Sequence, residues 1–351
     1  MKAVVYRGPG DLPVEERAEA PLQPSEVRVA VDWVGVCGTD VRIHKGEHSA
    51  YAGVPGRVPG HEIVGRVVET GPGAAVQAAG LVFVAPNIGC GTCPQCVSGN
   101  ENLCPTTDGI GITLDGGFAE SLVIPAAAVA RGNLIPLTGA GSAEASVLIE
   151  PLACVVRGQE KVDVHEGDTV LVGGGGPVGL LHVALAVARG ASLVICSEPS
   201  AARRAAAERA GAAIVVDPLS EDLAAVVAEA TGGAGVDVVI TAAPIHAMQA
   251  AAMEMAAIGG RVLLFGGLPS SRPTVEIDTN AIHYKELVVV GTTASTLEDC
   301  RRAAELVSSG RIELDWMVSD VFSLEDFAAA VARAQDASAL KVIIDPQLAR
   351  E

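Results

Sequence analysis

The sequence predicts an α/β chain in which a β-rich domain is followed by a doubly wound parallel sheet. Three observations carry that prediction. Short β-rich runs alternate with Pro and Gly turns over residues 1–36, and further β-rich runs follow up to residue 124, the pattern of an all-β region. From residue 169 apolar runs alternate with Ala-rich stretches, which reads as strands joined by helical crossovers and so as a parallel sheet. Where the first of these runs meets its helix lies Gly173-Gly174-Gly175-Gly176-Pro177, a turn suited to glycine backbone.

In order, the β-rich region has expected strands at 3–6, 26–34, 63–69 and 81–85, and returns to strand over 116–124 after a cysteine-rich insertion. The second region has expected strands at 169–173, 193–197, 213–216, 236–241, 261–265 and 287–291, with helices at 201–210 and 222–231 among the crossovers. Helical segments at 297–309 and 324–335 and a strand at 340–344 close the chain. A length of 351 residues suits two domains.

Composition narrows the function. Hydrophobic residues make up 49% of the chain, enough for large cores. A formal charge of −18 argues against nucleic acid or an anionic membrane as partner, since both need a basic face. The apolar run at Met1–Tyr6 is too short for a signal peptide, so a cytoplasmic protein is expected. Its eight cysteines should then be reduced, which favours metal binding over disulfides. The window 169–196 has the length of a membrane span, but the glycine turn, His182 and Arg189 interrupt it.

The insertion reads Gly89-Cys90-Gly91-Thr92-Cys93-Pro94-Gln95-Cys96 and closes at Cys104. Spacing of C-x2-C-x2-C-x7-C lets one loop, about residues 89–105, wrap a tetrahedral Zn²⁺ with each sulfur about 2.3 Å from the metal. Four thiolates leave no open coordination position, so such a site is structural.

Gly174-Gly175-Gly176-Pro177-Val178-Gly179 matches G-x-G-x-x-G, follows a strand, opens a helix, and precedes Glu198 at the end of the next strand. That context is the dinucleotide fingerprint of a Rossmann domain, with the pyrophosphate at the helix N-terminus. Glu198 would bind the ribose hydroxyls and repel a 2′-phosphate, favouring NAD over NADP. Arg203 and Arg204 pull the other way.

Cys37, His61, Glu62 and Glu150 remain. One thiolate, one imidazole and one carboxylate leave a fourth position open, as a catalytic zinc requires. Spacing alone is a weak basis for that set. However, Gly35-Val36-Cys37-Gly38-Thr39-Asp40, Gly60-His61-Glu62-x2-Gly65, the four-cysteine loop, Glu150-Pro151-Leu152-Ala153 and Gly174–Gly179 occur in this order. With Gly266-Gly267-Leu268 and Ala339-Leu340-Lys341-Val342, the chain resembles the zinc-dependent medium-chain dehydrogenases, nearest their sorbitol (polyol), threonine and butanediol dehydrogenase branch.

The resemblance implies a GroES-like β-rich catalytic domain plus a doubly wound parallel-sheet Rossmann domain. The catalytic domain is expected at 1–152 and 294–351, interrupted by an NAD-binding domain at 153–293. It implies two Zn²⁺ per subunit, NAD as cofactor, a small-molecule alcohol as substrate and a homodimer or homotetramer. Cys37 and His61 match catalytic zinc ligands, and Glu62 and Glu150 match carboxylates that bind the metal or its water. Thr39 matches the hydroxyl that relays the substrate proton, and Lys341 a basic residue near the cofactor pyrophosphate. Relatives often carry a His where this chain has Arg42, which cannot act as a general base. Either His44 or a water chain is then expected to take that role, or the relay ends at the ribose. Cys154 is a rival ligand four residues after Glu150, while Cys196 and Cys300 read as core residues.

The expected activity is oxidation of a secondary alcohol of a polyol, sugar or cyclitol. Threonine or a 2,3-diol is the second choice, with Arg42 or Arg57 as the cation for a carboxylate. A zinc-free enone or quinone reductase would lack the Cys37/His61/Glu150 set. A non-catalytic NAD-binding regulatory protein could keep both motifs and lose the relay.

Overall fold

The structure is a computed structural model that describes residues 1–76 and 80–348. It divides into two compact units, Met1–Ala153 with Ser295–Glu351, and Cys154–Ala294.

The first unit is built on the Val27–Val36 strand, which lies between Glu62–Thr70 and Lys341–Asp345 and also pairs Ser121–Ile124. Val318–Ser323 joins Lys341–Asp345 in parallel, while Leu81–Val84 and Leu134–Pro136 extend the other side. Strand alternation sends Val27, Val29 and Val31 into a core with Ile63, Phe118 and Ile344. The expected strand at 116–124 begins only at Ser121. Gly117 and Phe118 instead donate to the carbonyls of Gly60 and Pro59, so their backbone is already committed. The last helix opens as a 3₁₀ turn at Leu324–Asp326, with the Ser323 hydroxyl on Asp326, before Phe327–Ala334.

The second unit is a six-stranded parallel sheet in the order Ile214–Val216, Leu193–Ser197, Thr169–Gly173, Val236–Thr241, Ala256–Leu264, Val288–Gly291. This 3-2-1-4-5-6 order is the doubly wound arrangement, whose switch point lies between the first and fourth strands in sequence. Leu171, Ile195 and Val239 are fully buried in its core, each contributing about 1.5–3 kcal/mol. The fifth strand starts at Ala256 rather than 261 because Ala256 pairs Val236 before a bulge, and Arg261 resumes opposite Val238. Among the described residues no helix is long and apolar enough to cross a membrane.

One polar pair lies inside this unit. His182, on the Pro177–Ala188 helix, is fully buried, stands edge-on to Phe265 at 4.6 Å, and is approached by the Gln159 amide nitrogen, 3.4 Å from Nδ1. Burial first, and the Arg189 charge second, push its pKa down to about 3, while the unfolded ring titrates near pH ~6.5. The unfolded chain therefore binds more protons between those values. The stability present above about pH 6.5 is lost as pH falls, at about 1.4 kcal/mol per unit from this group. His182→Leu should flatten that slope, read as the change in urea midpoint between pH 7 and 5; parallel slopes in the two proteins would refute it.

Candidate active site

The catalytic candidates converge because three strands end together. Gly35 pairs Glu62 on one side and Ile343 on the other, so Cys37, His61 and Lys341 emerge at one edge of the sheet. Cys37 caps the Gly38–His44 helix: its Sγ accepts from the Thr39 amide at 3.2 Å, and Asp40 Oδ2 accepts from the Cys37 amide at 2.9 Å. This is a capping box with a sulfur in the place of Ser or Thr. His61 Nε2 lies 3.3 Å from Cys37 Sγ. Glu150, in the first turn of Ile149–Lys161, brings its carboxylate to His61 and Glu62, the three donor atoms lying within 4.8 Å of one another. A second cluster on the same histidine joins Cys37 and Asp40. Asp40 is the member that motif reading missed; the C-x-x-D spacing of a capping box was its only signal.

These ionisable groups are crowded together, with Asp40, His61 and Glu62 buried. Burial alone would push the His61 pKa down, but the charge and hydrogen bond of Cys37, with Asp40 and Glu150, hold it well above its ordinary value. Burial pushes the Cys37 thiol and the Asp40 carboxyl up. Buried His61 Nδ1 and Asp40 Oδ1 have no hydrogen-bond partner. A soft sulfur, an imidazole and carboxylates crowded together in this way fit a divalent zinc.

Lys341 is buried, with its ammonium in an ion pair with Glu62 and donating to the Val36 carbonyl at 3.3 Å. Burial works to lower its pKa, but Glu62 and Cys37 outweigh that and raise it. The pair meets over Gly35, where an added Cβ would lie 1.8 Å from Glu62 Oε2. The residue expected beside a pyrophosphate is thus engaged by the carboxylate next to His61.

The relay expectation also changes. Arg42 Nη2 donates to Thr39 Oγ1 at 3.2 Å. His44, five residues past Thr39, falls about 140° round the helix from it, so it is not the partner of that hydroxyl. Arg57 is occupied elsewhere: its Nη1 donates to the carbonyls of Ala50 and Ile112, and the guanidinium covers the Tyr51 ring. Cys154 joins neither cluster among the described residues, and Cys196 and Cys300 are buried.

The ligand atoms of Cys90, Cys93, Cys96 and Cys104 lie within 4.8 Å of one another. Cys93 caps the short Pro94–Val97 helix, and the amides of Cys90, Cys93 and Cys96 point at the sulfurs of Cys104, Cys90 and Cys93. Backbone donation, from Thr92 first, draws the Cys90 thiol down to about 5, whereas burial and the neighbouring thiols push Cys96 up to about 12. Four sulfurs this close ionise together only around a cation, which fits a structural zinc. Glu101 on this lobe accepts from the Leu297 amide at 2.7 Å, tying it to the Leu297–Ser308 helix.

In the second unit, Gly174 (φ +111°) turns the chain out of the Thr169–Gly173 strand, and Pro177 and Val178 open the following helix. A Cβ on Gly179 would lie 1.8 Å from the Gly174 carbonyl oxygen, so only glycine allows this packing. Glu198 is buried at the end of the neighbouring strand, its two oxygens accepting from the amides of Gly175 (2.8 Å) and Ser200 (2.9 Å). Arg204 is tied to Asp217 and to the Glu198 and Pro199 carbonyls. Arg203 has a buried, unpartnered Nε, and its Nη1 lies 3.9 Å from where a Gly176 Cβ would be.

Residues 23–136 match the alcohol dehydrogenase GroES-like domain, and residues 177–309 match the zinc-binding dehydrogenase domain. The L-threonine 3-dehydrogenase of Pyrococcus abyssi is 36% identical over 301 residues, covering 84% of each chain. The chain belongs to the zinc-dependent medium-chain dehydrogenase family. A second member, the 2-dehydro-3-deoxy-L-galactonate 5-dehydrogenase of Pseudoalteromonas atlantica, is 33% identical over 320 residues, covering 91% of this chain and 90% of its own. A zinc-binding dehydrogenase structure from Sinorhizobium meliloti 1021, bound to NADP, superposes with a TM-score of 0.91 at 35% identity, covering 98% and 99%. The GroES-like and Rossmann architecture read from the sequence is that of the family, and the chain is an alcohol dehydrogenase with a nicotinamide-dinucleotide domain.

Proposed function

We propose that this medium-chain dehydrogenase oxidises a secondary alcohol of a polyol, sugar or sugar acid to a ketone, with NAD⁺ as hydride acceptor and two zinc ions per subunit. The observation that carries this reading is the convergence of Cys37, His61, Glu62 and Glu150 at the end of two paired strands. Cys37, His61 and Glu150 would hold the catalytic zinc, with Glu62 kept at its edge by Lys341. Cys90, Cys93, Cys96 and Cys104 would hold the structural one. When bound, the catalytic zinc stabilises the deprotonated alcohol and NAD⁺ accepts hydride.

The remaining roles belong to side chains. Arg42 fills one lone pair of Thr39 Oγ1, leaving the other to accept the substrate proton while the hydroxyl releases its own towards water. Glu198, held by two amides, presents a fixed negative charge where a 2′-phosphate would lie, supporting NAD. Glu198→Ala should raise the NADP-to-NAD ratio of kcat/KM by about 10-fold or more, the scale of one charge-assisted contact. An unchanged ratio would remove Glu198 from the ribose.

A threonine-like substrate is the second reading, favoured by the Pyrococcus abyssi relative. NADH formation measured over neutral polyols, 2,3-diols, sugar acids and threonine tests both readings. Silence across the panel with NADH binding intact would favour a non-catalytic, NAD-binding regulatory protein. Eight free cysteines support a reducing, cytoplasmic setting.

The Val288–Gly291 strand lies at the end of its sheet, with Val288, Tyr284 and Ile258 exposed. An edge of this kind supports pairing into a homodimer or homotetramer. Val288→Lys should shift the sedimentation coefficient to that of a monomer; a wild-type protein already monomeric at micromolar concentration would rule the interface out.

A further inference from the structure

The function proposed above leaves Arg42 without a reason to be arginine. Its guanidinium cannot accept a proton at any working pH, so it does not continue a relay. In a chain of formal charge −18, no carboxylate among the described residues pairs with Arg42; its recorded contact is one N–H on Thr39 Oγ1. The side chain is exposed, so its remaining donors are available to a ligand. Thr39 lies two residues past Cys37 and hydrogen-bonds its sulfur through the backbone amide. Arg42 therefore stands beside the place where a reacting hydroxyl must be.

A second polar group lies within charge-interaction range of Arg42. His48 Nδ1 is buried with no hydrogen-bond partner, and burial first, then the charges of Arg42 and His61, lower its pKa. A neutral imidazole there can donate an N–H. His48 sits on a firm base: it precedes the Ser49–Tyr51 turn and stands edge-on to Tyr51 at 6.2 Å. The fully buried Tyr51 is itself fixed by its hydroxyl on the Gly111 carbonyl (2.9 Å) and covered by Arg57. A guanidinium tethered to Thr39 Oγ1 and an imidazole held by a packed turn give an anion two donors, one charged and one positioned.

We propose that Arg42, with His48 beside it, binds a carboxylate that the substrate carries one or two carbons from the alcohol being oxidised. The substrate class is then a 2- or 3-hydroxy acid, either polyhydroxy or amino, rather than a neutral polyol. The short separation follows from distance. An acceptor about 2.8 Å from the guanidinium is only a few ångströms from an alcohol oxygen bonded to Thr39, whose hydroxyl is 3.2 Å from the same guanidinium. This inference rests on the proposed alcohol oxidation.

The test uses three probe pairs that differ only in COO⁻ against CH₂OH: threonine and threoninol, gluconate and sorbitol, 3-hydroxybutanoate and butane-1,3-diol. Calorimetric binding to the zinc-loaded enzyme with NADH, and NADH formation with NAD⁺, are measured for each. At least one acid should bind 10-fold or more tightly than its alcohol. Arg42→Gln should bring that ratio close to one, acting mainly through KM, with the thermal midpoint unmoved; Arg42→Lys should recover part of it. The proposal is overturned if no acid binds, if every pair binds equally, or if folded Arg42→Gln keeps the preference. Acids that bind through Arg42 while none of the six probes yields NADH would sink the oxidation reading and leave the anion subsite standing. Turnover of neutral and acidic partners at equal kcat/KM would do the reverse.

Discussion

Cys37→Ser should lower kcat/KM by at least about a thousandfold, the scale of losing several kcal/mol of charge stabilisation in the transition state, while the fold stays intact. The separation between the two effects follows from the dual role of Cys37. Its sulfur accepts the Thr39 amide as a helix cap and also lies 3.3 Å from His61. Serine is among the best capping residues, so the hydroxyl preserves the turn and the Asp40 side of the capping box. It is a poor substitute for a thiolate as a zinc ligand. Zinc content should fall from two to one per subunit, with the thermal midpoint within about 2 °C of the parent, as for a change of a few tenths of a kcal/mol. Two zincs per subunit in the inactive variant would show that Cys37 acts otherwise than as a ligand. A large drop in thermal midpoint would assign its importance to the cap.

Some of this organisation is written locally and some is not. The four-cysteine lobe and the turn from Gly174 to Gly179 are short segments in which spacing dictates geometry: the first closes a loop round four sulfurs, the second needs a positive φ and a helix packed on a carbonyl. The strands were legible for the same reason, apart from their ends, where Gly117 and Phe118 donate to the Gly60 and Pro59 carbonyls rather than to a ladder. The site at Cys37 is different. Cys37, His61 and Glu150 are brought together by antiparallel pairing and by a turn packed on it, so their partnership was visible only through family resemblance. Asp40 went unread because a cysteine occupies the usual Ser or Thr position of its capping box. The Lys341–Glu62 pair was invisible to any local pattern, since its partners meet only when the final strand joins Val27–Val36. Arg42 could be read as a departure from the family's histidine, but its contact with Thr39 depends on a helix of only two turns.

Lys341→Met should produce the largest loss of stability of any single change at this site. Both partners of the pair are almost wholly buried, Lys341 at 3% and Glu62 at 1% exposure. Methionine replaces the aliphatic stem, so packing over Gly35 is largely kept and the loss is electrostatic. Breaking a buried ion pair from one side leaves an uncompensated charge and costs about 3–5 kcal/mol, whereas replacing both partners is far milder. Glu62→Gln in the Lys341→Met background should therefore restore most of the loss. Both tryptophans, Trp33 and Trp316, lie in the same unit as the pair, so fluorescence in urea reports this unit's unfolding. The experiment also decides how Glu62 relates to the metal. With zinc removed by a chelator, the orphaned carboxylate has no cation to turn to, and the full cost should appear. With zinc loaded, a Glu62 released from Lys341 can move onto the metal that Cys37, His61 and Glu150 are proposed to hold, and the cost should shrink by at least half. Equal losses in the two states would mean that Glu62 stays off the metal even when free. A loss below about 1 kcal/mol in both would show that the pair is too well solvated to matter.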